Sequence, residues 1–234
     1  MTRSFGTPRS SKAAKNRDAI AAQDFFRNLL TAAAMDASAP SSLDAFFFKN
    51  RGALLALPAL ALVFFGVPTL RAALIGIPIA VLGELLRMWA VGYSGVTTRG
   101  DHVEAPQLVT AGPYAHVRNP LYVGNFITAL GFALAFTGGN SPTIRLVLVL
   151  GSLLWMLVVY GIIVPHEERF LHSTFGDAFA RYCKRVPRIV PRLAPAPEPT
   201  GTWDGSVIAR AETRTFVTFL VMLAILVGKG LLHH

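Results

Sequence analysis

Two stretches of this chain hold side chains whose types and spacing could do chemistry. Residues 112–125 read GPYAHVRNPLYVGN and place Tyr114, His116, Arg118, Asn119 and Tyr122 close together where a long apolar run begins. Residues 166–169 read HEER, with Glu167 and Glu168 just past the end of another apolar run. An arginine beside an acidic pair makes a mixed-charge pocket, and an arginine can orient a carboxylate by two parallel hydrogen bonds. A plainer reading stands beside each. RNP just before a span is also a helix start, with Asn119 as N-cap, Pro120 at the first helical position and Arg118 against headgroups; HEER is also a solvated helix end. A third polar pair, Glu84 and Arg87, sits at i, i+3 inside AVLGELLRMWAVGY, where each ionisable residue costs roughly 2.5–3.5 kcal/mol to insert. Arg87 can snorkel, whereas Glu84 lies too deep, so the two are expected to pair toward the bundle interior. His102 and His116 lack an HxxxH-type spacing, and no metal site is expected. No GxGxxG, GxxxxGK[ST], HExxH or GxSxG occurs, so the residues alone leave the reaction open.

The elements that must position these groups are membrane helices. The chain has 234 residues, 53% hydrophobic and 15% charged, with a mean hydropathy of +0.48, which excludes an ordinary soluble domain. Runs at about 52–70, 72–93, 121–137, 144–165 and 215–232 approach the ~20 residues that cross the hydrocarbon. The expected fold is therefore all-α, a polytopic transmembrane helical bundle of about five spans. Pro58 and Pro78 fall inside spans, where neighbouring helices re-satisfy the freed backbone. The net charge of +9 is explained by where the basic residues lie: eight precede residue 52 and eight fall between 166 and 214, while the turns near 66–71 and 138–145 hold only Arg71 and Arg145. By the positive-inside rule the N-terminus, the 94–120 loop and the 166–214 segment share the cytoplasmic side, and no nucleic-acid partner is implied. The third and fourth spans then form an antiparallel hairpin that brings Arg118 and Tyr122 near Glu167 and Glu168. Single Cys183 excludes an internal disulfide framework. The organisation expected is a polar cytoplasmic segment over 1–51, in which DAIAAQDFFRNLL forms a surface helix and DAFFFKNR an interfacial anchor; a membrane core over 52–192; a Pro-rich linker over 193–214 that separates the last span from everything before it; and an additional helix over 215–234. No cleavable signal peptide is expected, since no apolar h-region precedes residue 50.

LVTAGPYAHVRNPLYVGNF, followed after one helical hairpin by EERFLHSTFGDAFARYCKRVP, resembles the isoprenylcysteine carboxyl methyltransferase family and, more distantly, the phospholipid N-methyltransferases. The family pattern is LVT-x-G-x-Y-x-x-x-R-[HN]-P-x-Y-x-G, then EE, then FG-x-x-[YF]-x-x-Y, then a basic residue with VP. The likeness covers roughly residues 84–192, and GELLRMWAVGY resembles the helix before this motif in bacterial members. The resemblance implies S-adenosylmethionine bound without a Rossmann domain, with Gln107, Leu108, Val109, Tyr114, Asn119, Pro120 and Tyr122 lining the cofactor pocket and Glu167 binding its charged end. It implies an enzyme of the bacterial inner membrane, with its site on the cytoplasmic face and a lipophilic small molecule or lipid-modified substrate as acceptor. Arg118 or Arg185 would orient an acceptor carboxylate and Glu168 would balance the sulfonium; an amine or phenol acceptor would need Glu168 or His116 as base. Asn119 stands where eukaryotic members carry histidine, and Ile163 or Val164 where they carry an arginine before the acidic pair. Two rival readings remain. An NADPH-dependent sterol-type reductase shares an R-H-x-N-Y-x-G element, but Leu121 occupies the place of its asparagine. A non-catalytic membrane scaffold or transporter subunit would bind no cofactor.

Overall fold

The computed structural model describes residues 42–95 and 106–232. The expected surface helix over DAIAAQDFFRNLL, and His102, lie outside the described residues. The elements are α1 (Ser42–Lys49), α2 (Arg51–Phe65), α3 (Leu70–Ser94), α4 (Pro120–Phe136), α5 (Pro142–Arg185), α6 (Ile208–Ala211) and α7 (Thr213–Leu232), with short 3-10 turns at Gly112–Ala115 and Gly205–Val207. All described regular structure is helical, as the composition predicts. Three helices, α3, α5 and α7, are long and apolar enough to cross a membrane, and α2 and α4 are shorter apolar helices. These five correspond to the five expected spans.

Small residues set the closest helix contact. A Cβ on Gly76 would lie 2.3 Å from the Gly131 carbonyl, and one on Gly131 would lie 2.3 Å from the Ala80 nitrogen. Gly83 and Gly124 meet in the same seam: a Cβ on Gly124 would lie 2.9 Å from the Gly83 carbonyl and 2.6 Å from Arg87 Cγ. In lipid, helix association rests on such close backbone packing, and here it lays α3 along α4 with Arg87 beside Gly124. Pro58 has no N–H to give Leu54, and the Trp155 indole supplies the missing donor at 2.7 Å from the Leu54 carbonyl, which ties α2 to α5.

The two ends of the bundle differ. At one end the α2–α3 and α4–α5 turns are stitched together: Gly139 N–H donates to Val67 O at 2.7 Å and Asn140 Oδ1 accepts from Val67 N–H at 2.9 Å. The other end carries the polar segments. There α5 continues past the membrane, since the stretch from Pro142 up to its break at Gly176 alone rises about 50 Å, well over the ~30 Å hydrocarbon thickness. Gly176, at φ 48, breaks that extension into two helical pieces. The interfacial stretch DAFFFKNR begins as α1, docked on α5 with Phe48 buried near the His166 ring and Asp44 paired to Arg169.

The segment 193–214 differs from the separating linker expected. Thr200 O accepts from the N–H groups of Thr110 and Ala111 at 2.8 and 3.1 Å, Ala196 N–H donates to Ala115 O at 2.9 Å, and Asp204 N–H donates to Gly92 O at 2.8 Å. Trp203 lies against Gly92, where a Cβ would come within 2.1 Å of the indole nitrogen. Prolines prevent regular structure without preventing docking; the backbone groups they leave free are used to bind the 109–116 loop.

Candidate active site

The polar end encloses a cavity of about 750 Å³. Its wall comes from the α1–α2 junction, α3, the loop that enters α4, the far part of α5 and the start of α7. Gln107, Leu108, Val109, Tyr114, Asn119, Pro120, Tyr122 and Glu167, the eight residues expected to hold a cofactor, all line it, as do Arg118 and Glu168.

The loop before α4 takes its shape from local chemistry. Gly112 sits at φ +59, a conformation that L side chains rarely adopt, and a Cβ there would strike the Tyr93 ring at 2.1 Å. The 3-10 turn that follows presents Tyr114, whose carbonyl accepts from the Tyr182 hydroxyl at 2.8 Å. Burial pushes the Tyr114 hydroxyl up to about 12, so it remains protonated at neutral pH. Arg118 N–H then donates to Pro187 O at 2.9 Å, which joins the two motifs of the chain. Pro120 opens α4 as expected, but the Asn119 side chain does not cap it: its Nδ2 donates to Arg188 O at 3.1 Å instead. The residue therefore crosslinks loop to loop.

Two carboxylates follow one another just beyond the fourth span and take different partners. Tyr122 donates to Glu167 Oε1 at 2.6 Å. Desolvation pushes the Glu167 carboxyl up to about 7, against the Tyr122 hydrogen bond and the Arg51 charge, which both lower it. Glu168 is buried and lies 3.2 Å from Arg118 Nη1, with Arg188 on its other oxygen. Arg118 Nη1 also reaches Cys183 Sγ at 2.7 Å. Its Nε is buried without a hydrogen-bond partner among the described residues.

Arg185 is a correction. It is half exposed and pairs with Glu198 at 3.1 Å, away from the cavity wall. Helix α5 ends at Arg185 and Val186 is extended, so the chain doubles back and Arg188 reaches Glu168 in its place. His116 is likewise off the wall, with Nδ1 at 2.9 Å from Arg192 O.

The Glu84–Arg87 pair is present and buried, at 3.7 Å, but Arg87 has a stronger partner in Glu212, with Nη2 at 3.0 and 2.8 Å from the two carboxylate oxygens. Arg87 Nη1 donates to Asn125 Oδ1, and Asn125 Nδ2 donates to the Tyr160 hydroxyl at 2.7 Å. Glu212 is 1% exposed, and sequence reasoning missed it because it stands in a segment that reads as linker. An acidic residue three positions before the apolar run that starts near residue 215 was the available signal.

Residues 71–178 match the phospholipid methyltransferase family model. The chain is similar to the protein-S-isoprenylcysteine O-methyltransferase of Schizosaccharomyces pombe, 37% identical over 121 residues, which covers 48% of this chain and 46% of that one. It is also similar to the cobalt-zinc-cadmium resistance protein CzcN of Cupriavidus metallidurans, 33% identical over 53% of this chain and 50% of the other, and to the nickel-cobalt-cadmium resistance protein NccN of Alcaligenes xylosoxydans xylosoxydans, 28% identical over 67% and 72%. The chain thus spans about half the length of the first and second of these relatives and more of the third. No solved structure matches it.

Proposed function

We propose that this chain transfers a methyl group from S-adenosylmethionine to a carboxylate oxygen of a lipophilic acceptor, in a cavity on the cytoplasmic face of a bacterial plasma membrane. The observation that carries the proposal is that ten residues drawn from two distant motifs, eight for the cofactor plus Arg118 and Glu168, line one cavity.

The donor set fits such a cofactor. The volume of about 750 Å³ lies within the ~300–1,000 Å³ of small-molecule sites. Leu108 and Val109 offer apolar surface, Glu167 a counter-charge for an ammonium group, and the Tyr122 and Tyr160 rings, 4.4 Å apart between centroids, electron-rich faces for a cation. The bound donor would supply an electrophilic methyl on a cationic sulfur, so that a C–O bond forms while the C–S bond breaks and its electron pair returns to sulfur.

The protein's part is to orient and to exclude water. Arg118 and Arg188 put two guanidinium groups around one carboxylate, Glu168, and this positive excess suits an acceptor carboxylate, with the unpartnered Arg118 Nε–H as a further donor. A carboxylate acceptor is already ionised and needs no base, which agrees with the position of His116 off the wall and the protonated state of Tyr114. Basic residues gathered at this end, Lys49 and Arg51 with Arg181 to Arg192, support a cytoplasmic mouth.

The test is thermal unfolding of the purified protein in detergent with S-adenosylmethionine, S-adenosylhomocysteine or NADPH, because a ligand selective for the native state raises its apparent stability. A saturable shift with the two adenosyl compounds alone is expected. A shift with NADPH alone would restore the reductase reading, and no shift from a folded protein would favour the scaffold.

A further inference from the structure

The cavity is completed from outside the family-matching region. That region ends at residue 178, yet Glu212, Thr215 and Thr218 line the cavity, and Glu212 is the more deeply buried of the two carboxylates on Arg87. From Glu212 a continuous run of contacts crosses the bundle. Arg87 Nη2 donates to Glu212, with Thr215 Oγ1 at 3.3 Å from the same nitrogen. Arg87 Nη1 fixes the Asn125 amide by taking its oxygen, which leaves the NH₂ group to point at the Tyr160 hydroxyl, 2.7 Å away. The Tyr160 ring packs on the Tyr122 ring, and Tyr122 donates to Glu167 at 2.6 Å.

We propose that Glu212 is a positioning residue for the site: by fixing Arg87 it sets the amide orientation of Asn125, and through the Tyr160 and Tyr122 rings the direction in which Glu167 presents its carboxylate to the ligand. An Asn amide can turn over, exchanging donor and acceptor. A guanidinium held on its far side by a carboxylate removes that freedom. The C-terminal segment is thereby part of the binding site, and docking of the 193–214 strap and α7 is coupled to the shape of the cavity. This inference rests on the proposed cofactor site.

Glu212→Gln is the variant to make, because Arg87 keeps Glu84 as counter-ion and no unpaired charge is left buried. With Tyr160→Phe and the double variant it forms a double-mutant cycle, read by S-adenosylhomocysteine affinity. Groups that orient a ligating side chain are worth about 10–100-fold at metal sites, and on that scale each single variant is expected to bind tenfold or more weakly, and the double variant no more weakly than the worse single. Wild-type affinity in Glu212→Gln, or losses that add in the double variant, would overturn the inference. A readout without ligand separates its failure from that of the cofactor reading. The Glu167 carboxyl stretch, assigned by its disappearance in Glu167→Gln, is followed by infrared spectroscopy in the ligand-free protein. If the wild-type chain binds no adenosyl compound, the cofactor reading fails. A Glu167 band that then moves in Glu212→Gln still supports the positioning role, and an unmoved band overturns it.

Discussion

Arg87 and Arg118 border the same cavity and are neutralised in opposite ways. Arg87 is one guanidinium between two carboxylates, Glu84 on its own helix and Glu212, 125 residues further along the chain. Arg118 shares one carboxylate, Glu168, with a second guanidinium, Arg188. The first cluster is deeply buried; the second sets two guanidinium groups on one carboxylate and opens to the loops. A buried ion pair is strongly costly to break from one side, because the remaining charge has no solvent. The Arg87 cluster therefore acts as a fastener of the fold that also touches the site, and the Arg118 cluster as a binding surface that can spare a charge.

The largest effect that tests this contrast is on stability. Arg87→Met takes the Arg87 guanidinium away from Glu212, 1% exposed, and is expected to cost about 3–5 kcal/mol, the range for a buried pair broken from one side. Arg118→Met leaves Glu168 with Arg188 and is expected to cost clearly less. Chemical unfolding in detergent compares the two; equal losses would remove the distinction.

Next in size is a loss of methyl transfer. Arg118→Ala is expected to lower turnover by about 10²-fold, the scale for removing one preorganised donor, while the protein remains folded. Full activity in Arg118→Ala would show that the positive excess serves only to join the loops.

A smaller effect separates the two neighbouring carboxylates. The Glu167 carboxyl is raised in the folded protein to about 7, chiefly by desolvation. A raised folded-state value means that its contribution to stability is present below the unfolded value, near 4.3, and is lost as pH rises through about 7. The melting temperature is expected to fall by a few degrees across that window, and the fall to disappear in Glu167→Gln. Glu168→Gln is expected to retain it. A cationic ligand group would favour the ionised form, so adenosyl-compound affinity should rise with pH through the same window.

The contrast between the clusters also marks what a sequence carries. Glu84 and Arg87 lie one helical turn apart in an apolar run, so their pairing follows from helix geometry alone. Arg118 and Glu168 meet because two spans joined by a short turn must lie antiparallel. Glu212 offers neither handle: it stands after prolines and glycines whose irregular backbone docks by hydrogen bonds that no periodicity records. Gly76, Gly83, Gly124 and Gly131 form the seam between α3 and α4, and nothing in their sequence spacing assigns one helix to the other. Tyr122 and Glu167 were both expected at the cofactor, whereas Asn125 and Tyr160, which connect them to Arg87, carry no pattern of their own.

The smallest effect tests the correction at the end of α5. Arg185 and Arg188 are three residues apart, and on a continuing helix both would follow α5 away from Glu168. Helix α5 stops at Arg185, the chain turns at extended Val186, and Pro187 O receives the Arg118 N–H. Only Arg188 returns to Glu168, while Arg185 faces Glu198, whose side chain is 82% exposed. Ion pairs so open to water contribute little, a few tenths of a kcal/mol in most measured cases. Arg185→Ala is therefore expected to leave turnover unchanged and stability within about 0.5 kcal/mol. Arg188→Ala, which strips the second guanidinium from Glu168, is expected to weaken acceptor binding and raise KM. A loss of turnover in Arg185→Ala with none in Arg188→Ala would reverse the assignment and return the acceptor site to the helix end.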